Sequence, residues 1–315
     1  MSKYTEEQKS NVLELLSSGL SQRVVSSLTN VPKSTIADWA VEDKQLEGIA
    51  SNSIEGPTIT FLDVEVSATI SAQFSRFKAF ISPDAVIQEP YLLTAAWKTN
   101  KGGEGAHKLP DYPLWQDDHT NDLMLVEQLW DVLDNSDIVI AHNASFDEGW
   151  MNQRFAYHGM NPPSPYKVIC TLKALKKYFK LPSNSLDAST RYFELEQKRC
   201  HEGISLWLAC MQGDEAAMQR MLDYNLGDIP TLEQLYYKIL PFIKNHPNSA
   251  LYYSDDKMRC NSCGHDSLTE ITGKYAYTNL SKFKSFRCDK CGAIKRNRKN
   301  ERTKEQMNNT MMNIT

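Results

Sequence analysis

The stretch that most constrains this chain of 315 residues is 58–66, where apolar and β-branched residues lead to two carboxylates. The pattern predicts a β-strand, and Asp63 and Glu65, two positions apart, would lie on one face of it. Two like charges held this close repel each other unless a cation lies between them. The stretch therefore predicts half of a metal site, although an Asp-x-Glu pair is also common on solvated strand faces and is weak evidence alone.

Two later stretches add further acids. Residues 138–147 read as an apolar strand and a turn, with a helix starting near Asp147. Tyr224 and Asp228 are four residues apart and share one face if that stretch is helical. Gly and Pro lower helix propensity, so Gly227 and Pro230 predict a helix that begins near Tyr224 or is kinked there.

The order of these residues resembles that of a known enzyme family. Along the chain they are Asp63, Glu65, Asp147, Tyr224 and Asp228. The motif Asn143-x-x-Phe146-Asp147 is the most specific element of the match. The chain is similar over residues 57–245 to the DnaQ-like (DEDD) 3′→5′ exonucleases of the ribonuclease H-like superfamily, in the subclass with Tyr in the third motif and of a phage type.

The resemblance implies an α/β fold with a mixed sheet flanked by helices, and two Mg²⁺ or Mn²⁺ ions. By it, Asp63, Glu65 and Asp228 would hold the metal that activates the attacking water. Asp63 would bridge to a second metal held partly by Asp147, and Tyr224 would orient the water. Asn143 and Phe146 would bind the terminal nucleotide. For these two, a turn cap and a core aromatic are the structural alternatives.

The predicted substrate is DNA, most simply single-stranded 3′ ends, and a replication protein is a further candidate partner. RNA remains an alternative because no residue reports on the 2′-hydroxyl. A non-enzymatic DNA-binding protein is a second alternative, against which the intact acid set argues.

Residues 1–48 predict three helices whose last two resemble a helix-turn-helix. That resemblance implies that the third helix, with Lys33, Ser34 and Thr35 near its start, lies in a DNA major groove. The segment has a net charge of −2, which supplies few phosphate contacts, so a protein-contact role stays open. A polar linker is predicted over residues 49–56.

Residues 246–299 carry two Cys-x-x-Cys pairs with 24 residues between them. Their cysteines are Cys260, Cys263, Cys288 and Cys291. Two matched pairs at this spacing predict one structural zinc ion and a small β-rich module that resembles a zinc ribbon. A redox dithiol is the alternative, disfavoured because two pairs are present.

Positive charge is concentrated near the C-terminus, although the whole chain has a net charge of −4. Residues 271–304 contain eleven cations and two anions, a net +9 that suggests a polyanionic partner. The candidate DNA contacts there are Lys282, Lys284, Arg287, Lys295, Arg296 and Arg298. Interleaved aromatic residues could stack on bases or pack the module's core.

The remaining segments carry less information. Residues 101–120 predict a loop, and 300–315 a disordered tail. No apolar run is long enough to span a membrane, and the N-terminus has no signal-peptide core, which together predict an intracellular, cytoplasmic protein.

Overall fold

The computed structural model describes residues 4–18, 20, 22–46, 56–74, 80–195 and 202–312. The predicted linker over residues 49–56 lies almost entirely outside these ranges. No helix within the described ranges is long and apolar enough to cross a membrane.

Three helices form at the N-terminus: α1 (Glu6–Ser17), α2 (Gln22–Thr29) and α3 (Lys33–Leu46). Thr5 and Gln8 cap α1 reciprocally, as the sequence predicts. Four aliphatic side chains, Val12, Val25, Val31 and Ile36, make the small core of this unit. Val24, on the other side of α2, is buried in the core of the central domain, so the three helices dock onto that domain.

The central domain is built on a five-stranded mixed sheet. The sheet contains β1 (Ile59–Val66), β4 (Leu92–Thr99), β5 (Glu104–Lys108), β6 (Ile138–Ala141) and β7 (Lys167–Cys170). A separate two-stranded ribbon is formed by β2 (Ile70–Ser71) and β3 (Val86–Gln88). The order in the sheet is β5-β4-β1-β6-β7, with β4 antiparallel to β1 and β5, and with β1, β6 and β7 parallel. This mixed sheet flanked by helices is consistent with a ribonuclease H-like fold.

Within the described ranges of the central domain, seven helices flank the sheet. They are α4 (Leu114–Asp117), α5 (Leu123–Asp134), α6 (Ser145–Tyr157), α7 (Thr171–Tyr178), α8 (Leu186–Tyr192), α9 (Ile204–Met211) and α10 (Glu215–Ile239). Alternate residues of β1 serve two cores. Leu62 and Val64 pack in the core that includes α5 and α6, whereas Phe61 packs edge-on against Tyr236 of α10. The acids of β1 share the face of Phe61 and therefore face α10.

The prediction of a loop over residues 101–120 is wrong in part, because β5 and α4 lie there. Strand β5 pairs along β4, with Gly105 opposite Trp97. A Cβ atom on Gly105 would lie 2.3 Å from the Trp97 ring, so glycine makes room for that ring. Glycine weakens strand propensity locally, and pairing with a buried neighbour overrides that preference.

The C-terminal part is a three-stranded antiparallel sheet of β8 (Leu268–Tyr277), β9 (Lys282–Cys288) and β10 (Ile294–Asn300), in the order β10-β9-β8. The tail predicted to be disordered instead contains a five-residue helix, α11 (Lys304–Asn308). The physical reason is a second capping box, in which Thr303 and Gln306 satisfy each other's backbone N–H groups.

Candidate active site

Three carboxylates converge on the face of β1 that is turned toward α10. Asp63 and Glu65 are half-buried on β1, and Asp228 is buried on α10. One oxygen from each of the three lies within 4.8 Å of the other two. Small residues oppose the two strand acids, because Asp63 pairs with Ala96 and Glu65 with Thr94. The strand therefore leaves room for the acids to meet the helix.

Helix α10 runs without interruption past the residues predicted to break it. Pro230 has no N–H to donate to the carbonyl of Leu226, but Leu226 is exposed and water can satisfy that group. The Thr231 hydroxyl donates to the carbonyl of Gly227 at 3.0 Å. The predicted start near Tyr224 is thus wrong, because α10 begins at Glu215, and Tyr224 and Asp228 are both buried one turn apart in the same helix.

The sequence interpretation missed Asn225, which is fully buried beside the acids. Its side-chain nitrogen donates to Oδ2 of Asp63 at 2.6 Å, and its side-chain oxygen accepts from the Thr94 hydroxyl at 3.4 Å. The signal was available, because Asn225 lies three residues before Asp228 and so projects near it on a helix.

Asp147 is buried in the first turn of α6, directly after β6. Its Oδ1 accepts the N–H of Val64 at 3.4 Å, whereas Oδ2 has no hydrogen-bond partner among the described residues. Burial raises the pKa of Asp147 to about 7. It lies outside the group of three acids, but the Val64 contact ties it to the strand between Asp63 and Glu65.

Asn143 and Phe146 lie at the surface where β6 turns into α6. Asn143 adopts a left-handed backbone with φ of 67°, and its carbonyl accepts the N–H of Phe146 at 2.7 Å. The Phe146 ring is 46% exposed and meets Trp150 edge-on. Phe146 is therefore not a core aromatic, and its ring is accessible to a ligand.

The four paired cysteines form one cluster beside the C-terminal sheet, where Cys288 ends β9 and the other three lie in adjoining turns. Cys260 and Cys291 have sulfurs 3.7 Å apart, and Cys263 and Cys288 have sulfurs 3.5 Å apart. These distances exclude disulfides, whereas Zn–S bonds of about 2.3 Å in a tetrahedron place sulfurs about 3.8 Å apart. Hydrogen bonds from Cys263 and Cys291 lower the pKa of Cys260. The donor set and its spacing fit zinc.

The predicted DNA-contact residues differ in what they touch. Lys33 lies 3.6 Å from Asp131 of α5, so the cation at the start of α3 faces the central domain. Ser34 is exposed and Thr35 is half-buried. Within the C-terminal sheet, Lys284 pairs with Glu270 at 3.0 Å.

Two cations of that sheet lie over aromatic rings. Lys282 lies 3.7 Å from the centroid of Tyr275, and Arg296 lies 3.9 Å from that of Phe283. Arg287 donates to the carbonyl of Gly292. Lys295 and Arg298 form no ion pair with any residue that the structure describes.

Comparison with known proteins finds a similarity to an exonuclease family in part of this chain. The RNase_T family model, described as an exonuclease, matches residues 117–205. That span contains Asn143, Phe146 and Asp147, but none of the other predicted catalytic residues. No curated protein matches the chain.

Among solved structures, the family B DNA polymerase from the hyperthermophilic archaeon Pyrobaculum calidifontis aligns with 59% of this chain. The sequence identity is 15%, the TM-score is 0.44, and the alignment covers 25% of the polymerase chain.

Proposed function

We propose that the protein is a metal-dependent 3′→5′ exonuclease that hydrolyses DNA from single-stranded 3′ ends. The observation that carries the proposal is the convergence of Asp63, Glu65 and Asp228, whose oxygens lie within 4.8 Å of one another. The exonuclease family match over residues 117–205 supports it independently, because that match does not include these three residues.

The donor atoms fit divalent magnesium or manganese. Carboxylate oxygens are the ligands that these hard cations prefer. Asp63, Glu65 and Asp228 would hold one ion, and Asp63 with Asp147 a second. The buried Oδ2 of Asp147, which lacks a partner among the described residues, is an atom that a cation would satisfy. Such ions would supply activation of water and stabilisation of charge on the phosphate oxygens.

The protein's own groups position the reacting parts. Asn225 fixes one oxygen of Asp63, and the N–H of Val64 fixes one oxygen of Asp147. The Tyr224 hydroxyl, one turn before Asp228, would orient the attacking water. The exposed ring of Phe146 and the adjoining Asn143 turn would contact the terminal nucleotide, with the ring stacking on its base.

The flanking parts are proposed to serve nucleic-acid binding and stability. The C-terminal sheet would be a zinc ribbon, with one zinc ion held by its four cysteines. The N-terminal helices would be a helix-turn-helix that contacts DNA through Ser34 and Thr35. Lys33 is already paired with Asp131, so its share in DNA contact would be smaller than the sequence suggests.

A hydrolysis assay tests the proposed function. Oligonucleotides labelled at the 5′ end should be shortened in single-nucleotide steps from the 3′ end, only with added Mg²⁺ or Mn²⁺. RNA of the same sequence decides between the deoxyribonuclease and ribonuclease alternatives. Loss of label as a mononucleotide would indicate the opposite polarity, and an absence of cleavage on both substrates would reject the proposal.

A further inference from the structure

A basic groove of about 1240 Å³ separates the end of the central domain from the C-terminal sheet. Its volume exceeds the roughly 300–1,000 Å³ of small-molecule sites, so it has room for a ligand larger than a small molecule. The cations that line it are Lys244, Arg259, Arg287, Lys295, Arg296 and Arg298. No acidic residue is among the described residues that line it.

Three of these cations are available to a ligand. Lys244, Lys295 and Arg298 form no ion pair with any residue in the described ranges. Arg259, by contrast, is bound to Asp255 at 2.5 Å and stacks over Tyr253. Like charges gathered without counter-charges repel one another, and a polyanion would relieve that repulsion.

The groove also offers an aromatic surface. Phe242 lines it with a ring that is 55% exposed, and Phe179 holds this ring in place by an edge-on contact at 5.3 Å. Exposed rings set among cations are the arrangement on which unpaired bases stack. An acidic protein segment would form ion pairs with the cations but has no bases to stack on the ring.

The groove adjoins a smaller hollow at the start of α6, the helix that carries Asp147. Tyr178 and Ile243 line both the groove and a connecting hollow of about 230 Å³. The hollow reaches Ser145, two residues before Asp147, and its charged residues are Lys173, Lys177 and Glu148. It lies at the carboxyl ends of parallel strands β6 and β7, the edge of the sheet where Asp147 is placed.

We propose that the basic groove binds single-stranded nucleic acid upstream of the 3′ end held at the acids, with the strand passing through the connecting hollow. This deepens the proposed function and rests on it for the direction of the strand. Phosphates would contact Lys244, Lys295 and Arg298, and a base would stack on Phe242. The junction between the central domain and the C-terminal sheet would thus bind the single strand, a role that neither the acids nor the cysteines supply.

The test is equilibrium binding of labelled dT20 by the full-length chain. All proteins carry Asp63→Asn so that the strand stays intact. The groove variant adds Lys244→Glu, Lys295→Glu and Arg298→Glu. The control adds Lys101→Glu, Lys167→Glu and Lys274→Glu, which reverse three exposed lysines outside the groove. Circular dichroism and zinc content establish that each variant is folded.

The groove variant should bind dT20 at least about tenfold more weakly, and its log–log salt slope should fall by about 2, because each phosphate contact in a single strand contributes about 0.7. The control should keep the parental slope. Phe242→Ala should weaken binding without changing the slope. Equal losses in groove variant and control would overturn the proposal. Two further results would also overturn it: tighter binding of a blunt-ended dT20·dA20 duplex than of dT20, and displacement of dT20 by polyglutamate at a lower charge concentration than by unlabelled dT20.

Hydrolysis by the wild-type chain separates this inference from the function on which it rests. If the wild-type chain cleaves DNA and the groove variant binds dT20 as tightly as its parent, only the groove assignment is wrong. Groove-dependent binding without any cleavage would mean that the nuclease proposal is wrong and that the groove is still a single-strand site.

Discussion

The side-chain nitrogen of Asn225 donates a hydrogen bond of 2.6 Å to Oδ2 of Asp63, and thereby joins helix α10 to the central strand at the candidate active site. The hydroxyl of Thr94, on the neighbouring strand β4, donates to the side-chain oxygen of Asn225 at 3.4 Å. The amide therefore orients an acid without adding charge to it, and the negative charge of Asp63 is kept for a cation.

We therefore expect Asn225→Ala to lower the affinity of the candidate active site for metal, while the strand and helix that carry the acids stay folded. Loss of a group that orients a metal ligand typically costs about 10–100-fold in metal affinity. A titration of nuclease activity with Mg²⁺ should show a higher half-saturating concentration, with activity partly restored at high Mg²⁺. Asn152→Ala, on the exposed side of α6, is the matched control. An unchanged Mg²⁺ dependence for Asn225→Ala would show that Asn225 does not orient a metal ligand.

Substitution of the acids should be far more severe. Asp63→Asn, Glu65→Gln and Asp228→Asn keep shape and lose charge, and removal of one preorganised electrostatic group costs roughly 10²–10³ in rate. Each variant should therefore lose at least that much in single-turnover hydrolysis. Tyr224→Phe should be milder, because it removes a hydroxyl and no carboxylate. Wild-type turnover by Asp63→Asn would reject the assignment.

The acids could be found from sequence because their order along the chain resembles that of a known exonuclease family, and two simple periodicities agree with that resemblance. Asp63 and Glu65 share a face by the period of a strand, and Tyr224 and Asp228 share one by the period of a helix. The cysteines were equally accessible, because two matched Cys-x-x-Cys pairs at this spacing are typical of zinc sites. The spatial grouping of three acids in the structure agrees with those patterns.

The features that sequence missed depend on tertiary packing. Gly costs about 1 kcal/mol and Pro about 3 kcal/mol in a helix, yet α10 continues past Gly227 and Pro230. The residues around them, Ile229, Leu232 and Leu235, are buried and stabilise the helical conformation there. Strand β5 was missed for a related reason, because its pairing partner and not its own composition determines its conformation.

The cysteine cluster should prove to be coupled to the central domain. Cys263 and Cys291 pack against the core that contains Tyr236, whose hydroxyl is hydrogen-bonded to the buried His246 at 2.8 Å. Metal binding by such modules contributes on the order of 10 kcal/mol to their folding. We expect one zinc per purified chain, and a lower melting temperature of the whole chain after chelation. Cys288→Ser should lose the zinc, whereas Cys210→Ser should retain it.

This coupling changes what a truncation would do. From sequence alone, removal of everything after Asn248 is expected to leave hydrolysis at saturating substrate almost unchanged. The truncation, however, removes Cys263 and Cys291, which pack against the core of the central domain that contains Tyr236. We expect the truncated chain to unfold at a lower urea concentration than the full chain. Equal unfolding midpoints, together with zinc-independent melting, would show that the two parts are energetically separate.

A buried ion pair away from the active site predicts how stability depends on pH. Asp122 is fully buried and accepts hydrogen bonds from Arg154 at 2.7 Å, and its Oδ1 lies 2.7 Å from Nε2 of His158. Burial favours the protonated acid, but the hydrogen bonds of His158 and Arg154 outweigh it and lower the pKa of Asp122. Such a group stabilises the fold above its unfolded pKa of about 3.9.

The stabilisation by Asp122 should therefore be present at neutral pH and be lost as the pH falls below about 4 toward the lowered pKa. Asp122→Asn leaves Arg154 without its counter-charge, and breaking a buried pair in this way costs about 3–5 kcal/mol. Urea unfolding at pH 7 and in steps down to pH 3 should show the difference between wild type and variant shrinking with acidification. Asp187→Asn, which breaks the exposed pair with Arg191, should cost at most about 1 kcal/mol. A variant as stable as wild type at pH 7 would contradict the role of the pair.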